Sequence, residues 1–127
     1  MNPDYENIGK VFVQQYYAMF DGDVSARANI ANFYSDTNSL LTFEGMPFMG
    51  KAKIAEKLGQ LTFQKINHAI DTCDCQPTMD GGVVVMVMGH LRTDDDPAHR
   101  FIQTFVLKPA NNSYFVQHDL FRLCLGA

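Results

Sequence analysis

The sequence lacks the long apolar run of a membrane-spanning helix, because no stretch approaches the roughly 20 consecutive apolar residues that cross a bilayer. Its first ten residues carry acids where a signal peptide has a basic and then apolar start, so we expect no secretion signal. The chain has only three cysteines, an odd number that does not indicate a disulfide framework. We therefore expect an intracellular protein with buried, reduced cysteines and no insertion into membranes.

Basic residues are too few for a nucleic-acid partner. Ten Lys and Arg residues stand against 14 Asp and Glu residues, and the net charge is −4, so no basic stripe is available to displace phosphate counterions. This charge favours a basic partner instead. The sequence also lacks a nucleophile elbow, a glycine-rich phosphate loop and histidines at metal-binding spacing, so we expect neither a metal nor a cofactor.

What the sequence does contain is enough apolar material for one core. Hydrophobic residues make up 46% of 127, and no repeat or linker interrupts them, which predicts a single domain over 1–127. Apolar spacing predicts helices from Asp4 to about Asp21, over 27–33 and over 51–61. Strands are expected over 40–43, 66–73, 83–91, 101–107 and 114–125. Helices followed by long antiparallel strands indicate an α+β fold, with a curved sheet and helices on one face.

The segment 83–91 is almost continuously apolar, which is typical of a strand that is buried on both faces. In so small a domain, the second cover for such a strand could be another copy of the same sheet. We therefore predict a homodimer joined through the sheet, with Val85, Val87 and Leu120 at the interface. The alternative is that the strand is covered by loops of its own chain.

Three consecutive acids, Asp94, Asp95 and Asp96, precede Pro97 and form the most conspicuous charged cluster. The simpler interpretation is a solvated hairpin turn, because Asp favours turns and Pro ends strand pairing. The functional interpretation is a docking site for Lys or Arg side chains. Calcium binding is disfavoured, since the spacing lacks the glycine and distal glutamate of a calcium loop.

Glu44 and Gly45 are expected to form a turn that leads into residues 46–49. Glu44 thus stands in an apolar segment, directly after Phe43 and just before Met46, Pro47, Phe48 and Met49. Its carboxylate is either a loop group that points to water or the charged lip of a hydrophobic pocket.

His68 is expected to share a strand face with Ile66, Ile70 and Thr72 and to point inward. An inward histidine next to a carboxylate could act as an acid–base pair. A hydrogen-bonded core histidine is the interpretation that we favour.

A series of short motifs runs in order across nearly the whole chain. They are Ile8-Gly9 with Phe12, Gln15-Tyr16-Tyr17, Phe20-Asp21, Leu41-Thr42-Phe43-Glu44-Gly45, Phe48 with Gly50-Lys51, Glu56-Lys57-Leu58, Phe63-Gln64-Lys65-Ile66, Gln76-Pro77, Val87 to Gly89, Asp94-Asp95-Asp96-Pro97 and Phe121-Arg122-Leu123. In these motifs and in their order, the sequence resembles the nuclear transport factor 2 family.

The resemblance implies a cone-like α+β barrel whose bent, mostly antiparallel sheet wraps N-terminal helices, with a hydrophobic cavity at its mouth and dimerisation through the sheet. It implies a carrier that binds GDP-bound Ran and FxFG repeats of nuclear pore proteins and imports Ran into the nucleus. Such a carrier is not an enzyme and works in the cytoplasm and the nucleus, enriched at the nuclear pore and envelope.

The resemblance also implies roles for particular residues. Glu44, Asp94 and Asp96 match the acids that pair with basic residues of Ran, and Phe43 matches an aromatic that lines the cavity. Tyr5 matches the aromatic that binds FxFG repeats.

Two alternatives stay open. Relatives with the same cone fold dehydrate or isomerise small molecules in the cavity, and His68 with Tyr16 or Tyr34 could serve such chemistry. The other alternative is a dimeric scaffold that binds pore repeats without Ran.

Overall fold

The structure, a computed structural model, describes residues 1–61 and 65–125, so Phe63 and Gln64 of the quoted motifs lie outside the described residues. Helices come first and long strands later, which confirms the α+β expectation. The helices are α1 (Tyr5–Phe20), α2 (Val24–Ala28) and α3 (Lys51–Gly59), with a 3₁₀ helix over Asn29–Phe33. The strands are β1 (Leu40–Phe43), β2 (Met46–Met49), β3 (Ile66–Pro77), β4 (Val83–Thr93), β5 (His99–Ala110) and β6 (Ser113–Leu123).

The six strands form one sheet in the order β2-β1-β6-β5-β4-β3. Only the pair of β1 and β6 is parallel among these neighbours, so the expected mostly antiparallel sheet is confirmed. Strands β2 and β3 are the two edges of this sheet, so it wraps the helices without closing into a complete barrel.

Two β-bulges bend the sheet. One extra residue, Asp71, interrupts β3 between Ile70 and Thr72, and another, Gln117, interrupts β6 between Val116 and His118. A bulge bends its strand and shifts the alternation of side chains by one residue. The prediction that Thr72 shares the inward face of His68 is therefore wrong. Thr72 is exposed, and the next two odd-numbered residues, Cys73 and Cys75, turn inward instead.

Helix α1 covers the inner face of the sheet with one side that is rich in aromatic residues. The ring of Phe105 on β5 meets Phe12 at a centroid distance of 5.0 Å and Tyr16 at 4.9 Å. Each such side chain stabilises the fold by roughly 2–3 kcal/mol when it leaves water. The buried residues of α1 lie at three- and four-residue spacing and are Gly9, Phe12, Val13, Tyr16, Tyr17 and Phe20.

Strand β4 has one face inside the protomer and one face outside it. Val85 and Val87 are fully buried in the protomer core, so their predicted place at a dimer interface is wrong. Burial that is already complete in one protomer leaves no surface for a second copy to cover. The outer face carries Val84, Met86 and Met88 instead, and Leu120 of β6 lies on the same outer face with 51% exposure.

The second helix begins earlier than its apolar spacing indicated, because the Asp23 carboxylate accepts a hydrogen bond from the backbone N–H of Ala26 at 2.8 Å. A side chain of this kind satisfies one of the unpaired N–H groups at a helix start.

The cysteines are all free, but only Cys75 is buried, whereas Cys124 is exposed. The expectation of buried cysteines is therefore wrong for Cys124.

Gly9 allows α1 to approach the sheet closely. A Cβ atom at this position would overlap the Sγ atom of Cys75 and lie 3.1 Å from Cγ2 of Val85. We predict that Gly9→Ala destabilises the protein by about 1–3 kcal/mol through overpacking, although alanine favours helix by up to about 1 kcal/mol. Urea unfolding measures the change.

Gly59 of α3 is the matched control, because nothing lies within 4 Å of a Cβ atom built there. Gly59→Ala should leave stability unchanged or raise it. Combining Gly9→Ala with Cys75→Ala should restore part of the loss. A Gly9→Ala protein as stable as the unmodified one would show that the two layers are not in tight contact.

Candidate functional site

A cavity of about 130 Å³ lies between the inner face of the sheet and the helices. A cavity of about 150 Å³ holds a benzene molecule, so this one has room for about one six-membered ring. Most of its lining is apolar, with a few polar groups among the apolar side chains. The lining residues are Tyr16, Phe20, Leu41, Phe43, Leu58, Leu61, Ile66, His68, Leu91, Thr93, Gln103, Asp119, Phe121 and Leu123.

The stacked rings of Phe43 and Phe121 form part of the cavity wall. Phe43 lies 4.9 Å from Phe121, centroid to centroid, with 16° between the ring planes, and Phe121 lies 5.9 Å from Phe101. The ammonium of Lys57 sits 4.9 Å from the ring centroid of Phe43. Phe43 thus lines the cavity where the resemblance expects an aromatic, and its binding role stays a prediction.

A buried polar network around Asp119 adjoins the cavity, and we name it the polar floor (Asp119, Gln103 and Tyr34). Asp119 and Gln103 belong to the cavity lining, and Tyr34 supports them from outside it. The hydroxyl of Tyr34 donates to Oδ2 of Asp119 at 2.7 Å, and Nε2 of Gln103 donates to Oδ1 at 2.8 Å. Oε1 of Gln103 accepts from the hydroxyl of Tyr17 at 2.6 Å. Among the residues that the structure describes, each oxygen of the buried carboxylate thus has one donor, which offsets part of the cost of burial.

The charge state of the polar floor follows from its burial. Loss of water raises the pKa of Asp119 to about 6, although the hydrogen bonds from Gln103 and Tyr34 favour the carboxylate. Burial and the neighbouring Asp119 charge also raise the pKa values of Tyr16 and Tyr34 well above the ordinary range. At neutral pH the tyrosines are therefore neutral, and the carboxyl group is mostly ionised.

His68 lies in the cavity wall and is held by Asp21, which directly follows α1. Its Nδ1 lies 2.6 Å from Oδ1 of Asp21, and its backbone N–H donates to Oδ2 at 2.9 Å. The ring packs at 4.7 Å from Tyr17 and 5.2 Å from Phe20, and the side chain is 3% exposed. This confirms the prediction of an inward, hydrogen-bonded core histidine, which also fastens β3 to the end of α1.

Glu44 occupies the first position of the two-residue turn between β1 and β2. Its φ of 52° and that of Gly45, 87°, are both positive, as in the tight hairpin turn whose twist matches the strands. The backbone N–H of Glu44 donates to the carbonyl of Phe121, and its carboxylate accepts a hydrogen bond from the N–H of Leu123. Two bonds to β6 therefore fix this acid beside the cavity lining.

Asp94 begins the turn between β4 and β5, and its φ is also positive at 51°. Its N–H donates to the carbonyl of Lys65, and its carboxylate accepts from the N–H of Lys65 at 3.0 Å. The N–H of Asp96 closes the turn by donating to the carbonyl of Thr93. Both acids are exposed, so the expected hairpin turn is present and its carboxylates reach solvent.

The predicted acids lie outside the cavity lining, next to residues that belong to it. Glu44 is bonded to Leu123, and Asp94 and Asp96 adjoin Thr93 in the turn; Leu123 and Thr93 both line the cavity. We name Glu44, Asp94 and Asp96 the acidic rim. Tyr5 stands apart from it as the first residue of α1, half-buried against the core.

Sequence reasoning missed Asp119, the central residue of the polar floor. Val116 is buried, and uninterrupted alternation from it would place Asp119 on the outer face of β6. The bulge at Gln117 shifts the alternation, so Asp119 and Phe121 point inward. The sequence around Asp119 offers no local signal of its burial, because a charged residue directly after Gln117 and His118 is typical of an exposed strand position.

Within residues 1–61 and 65–125, the structure places no three His, Cys, Asp or Glu side chains where they could hold a metal ion together. None of the helices in these ranges is long and apolar enough to cross a membrane.

An open, bent sheet over N-terminal helices, with a cavity between the two layers, defines the nuclear transport factor 2-like class of proteins. The solved structure of nuclear transport factor 2 from Cryptosporidium parvum superimposes on the chain with a TM-score of 0.90 at 39% identity, covering 97% of each chain. The expected fold is therefore confirmed.

The protein-family model of the nuclear transport factor 2 (NTF2) domain matches residues 8–123 of the sequence. The chain is 46% identical to probable nuclear transport factor 2 of Caenorhabditis elegans, covering 98% of this chain and 96% of that protein. It is 45% identical to nuclear transport factor 2 of Oryza sativa subsp. japonica, covering 97% and 99%. The chain belongs to the nuclear transport factor 2 family.

The raised pKa of Asp119 makes a prediction about stability. The pKa of Asp119 is about 6 in the folded state and ordinarily 3.8, so the folded protein binds the proton more tightly than the unfolded chain does. The stability gained from this proton is fully present below about pH 4 and is lost as the pH rises to about 6. The free energy of unfolding, relative to Asp119→Asn, should therefore fall by roughly 2–3 kcal/mol between pH 4 and 6. Urea unfolding of both proteins at several pH values measures this difference; a constant difference would contradict the prediction.

Proposed function

We propose that this protein is a carrier of nucleocytoplasmic transport that binds GDP-bound Ran and FxFG repeats of nuclear pore proteins and imports Ran into the nucleus. It works as a homodimer in the cytoplasm and the nucleus, enriched at the nuclear pore and envelope, and not as an enzyme. One observation carries the proposal: an apolar cavity with room for a single aromatic ring has lining residues that adjoin Glu44 and Asp94, two acids whose carboxylates are held by backbone N–H groups. The names of full-length relatives support a role in nuclear transport.

The cavity suits a single aromatic side chain of a protein partner. Phe43 and Phe121 stack on each other and both line the cavity, and Leu41 and Leu91 add aliphatic walls. An aromatic ring that leaves water for such a site contributes strongly to binding, as buried anchor residues do at protein interfaces. In the proposed complex this ring comes from the switch II region of Ran.

The acidic rim suits basic residues of Ran beside that aromatic ring. The carboxylates of Glu44 and Asp94 are each held by a backbone N–H group, so little ordering is needed when a partner binds. The net charge of −4 adds attraction for a basic partner at longer range. Binding should therefore weaken as the salt concentration rises.

Tyr5 is the proposed contact for pore repeats. It begins α1, outside the lining of the cavity, and it is neither fully buried nor fully exposed. A rigid ring that is half-buried can contact phenylalanine side chains at a low entropic cost, which suits weak and rapid binding. Repeats and Ran would then bind at separate places on the protein.

The outer face of the sheet is the proposed dimer interface. Leu120 is 51% exposed and Met86 is 40% exposed, and both pair with Thr104 of the central strand β5. An apolar sheet face at the surface of a protomer is typical of an association site. The residues that we assign to this interface are Val84, Met86, Met88, Ile102, Thr104, Val106 and Leu120.

An enzyme remains the competing proposal because Asp119 has a raised pKa and lines the cavity together with His68 and Tyr16. A scaffold that binds pore repeats without Ran is the third candidate function. Capture of GDP-bound Ran supports the carrier, capture of repeats alone supports the scaffold, and failure of both leaves the enzyme.

We predict that Glu44→Gln weakens binding of GDP-bound Ran about 30-fold or more. The glutamine keeps an oxygen for the N–H of Leu123 but loses the charge that pairs with a basic residue, and such a loss at an interface costs at least about 2 kcal/mol.

Tyr5→Ala should weaken repeat binding and leave Ran binding nearly intact. Calorimetry with purified Ran and a repeat peptide measures both affinities.

Asp95→Asn is the control. It removes one negative charge from the turn that also carries Asp94 and Asp96, and it should leave Ran binding nearly unchanged. Asp94→Asn and Asp96→Asn should weaken Ran binding clearly. If Glu44→Gln and Asp95→Asn had equal effects, the rim would contribute general charge only. Equal loss of Ran and repeats in Tyr5→Ala would indicate damage to the fold.

We predict that Leu120→Glu converts a dimer into a folded monomer. Leu120 is half exposed in the protomer, so a charge there spares the core, but it would be unpaired and buried in the dimer at a cost of several kcal/mol. Met79, 92% exposed between β3 and β4, provides the control variant Met79→Glu, which should stay dimeric. Light scattering at micromolar concentration tests this, and a monomeric unmodified protein would refute it.

A further inference from the structure

The polar floor is the part of the cavity that the proposed function leaves unused. A hydrocarbon ring needs only the apolar walls, such as Leu41, Leu91 and Phe121, whereas Asp119 is a buried carboxylate that also lines the cavity. Burying a carboxylate is costly, and a ligand that binds only the walls gains nothing from it. A ligand with one hydrogen-bond donor on a ring would use both the walls and the floor.

Asp119 has the capacity to accept such a donor. Within residues 1–61 and 65–125, its two oxygens each accept one hydrogen bond, one from Gln103 and one from Tyr34. A carboxylate has about four acceptor positions, so roughly two are left. Hydrogen bonds to an ionised group are about twice as strong as those between neutral groups.

The size and charge of the cavity limit the class of ligand. A volume of about 130 Å³ admits one six-membered ring with a small substituent. A carboxylate on that ring would be repelled by Asp119 and by the acidic rim. An ammonium group would have to lose its hydration in a largely apolar space. A hydroxyl group donates a hydrogen bond without carrying a charge, so it meets both conditions.

We propose that the cavity binds a free, uncharged monocyclic phenol, with its ring against the apolar walls and its hydroxyl donating to Asp119. The bound phenol occupies the space that the proposed function gives to an aromatic side chain of a protein. Binding of the phenol itself requires no protein partner. Its success or failure is therefore independent of the proposed binding of Ran.

The test compares phenol with fluorobenzene, a ring of nearly the same size that cannot donate a hydrogen bond. The two compounds are titrated into the full chain, and NMR spectra of isotopically labelled protein report the affinity and the residues affected. We expect saturable shifts at Leu41, Leu91 and Phe121, and about fivefold tighter binding of phenol although fluorobenzene is the more apolar compound. Equal or tighter binding of fluorobenzene, shifts that lie elsewhere, or no saturation would overturn the proposal.

Asp119→Asn then separates the hydrogen bond from the shape of the cavity. Loss of a hydrogen bond to a charged acceptor should weaken phenol binding about 10-fold and leave fluorobenzene binding unchanged. Circular dichroism checks that the variant is folded. If it is not, Leu91→Phe, which fills part of the cavity from its apolar wall, should abolish the binding of both compounds. Unchanged phenol binding in a folded Asp119→Asn, or in Leu91→Phe, would also overturn the proposal.

Discussion

The bulge at Gln117 in β6 sets which side chains enter the cavity and which face outward. Without the extra residue, alternation from the buried Val116 would point Leu120 inward and Asp119 outward. With it, adjacent residues of one strand serve opposite faces: Asp119 forms the centre of the polar floor, and Leu120 lies on the outer apolar face. A one-residue change of register reverses every later side chain in a strand, so the cavity and the outer face depend together on this bulge.

Burial of Asp119 conflicts with stability, and the structure compensates only in part. Tyr34 and Gln103 supply a donor to each carboxylate oxygen, yet burial still raises the pKa of Asp119 to about 6. A purely structural core would place an apolar residue of similar volume there, since that exchange is often neutral or stabilising. Buried titratable groups in a cavity are typical of functional sites, which are the places where proteins depart from the most stable arrangement.

The acidic rim shows the same departure at the level of the backbone. Glu44 and Asp94 both have positive φ values, which are uncommon for residues other than glycine. Glu44 is held by hydrogen bonds to β6, and Asp94 by hydrogen bonds to Lys65, which precedes β3. Such conformations persist when the surrounding structure fixes them, and they are concentrated at binding sites. Because these hydrogen bonds hold the carboxylates of Glu44 and Asp94, both acids have a defined geometry before any partner arrives.

The sequence by itself determined the order of helices and strands, the turns at Glu44 and Asp94 and the inward position of His68, because these follow from local spacing and turn chemistry. It did not determine the faces of Val85, Val87, Thr72 and Asp119. An apolar run gives no sign of which alternate residues face the core, and the bulges at Asp71 and Gln117 carry no local signature. The tertiary structure decided these faces, because α1 can cover only one side of the sheet and the strand register fixes which side chains lie beneath it.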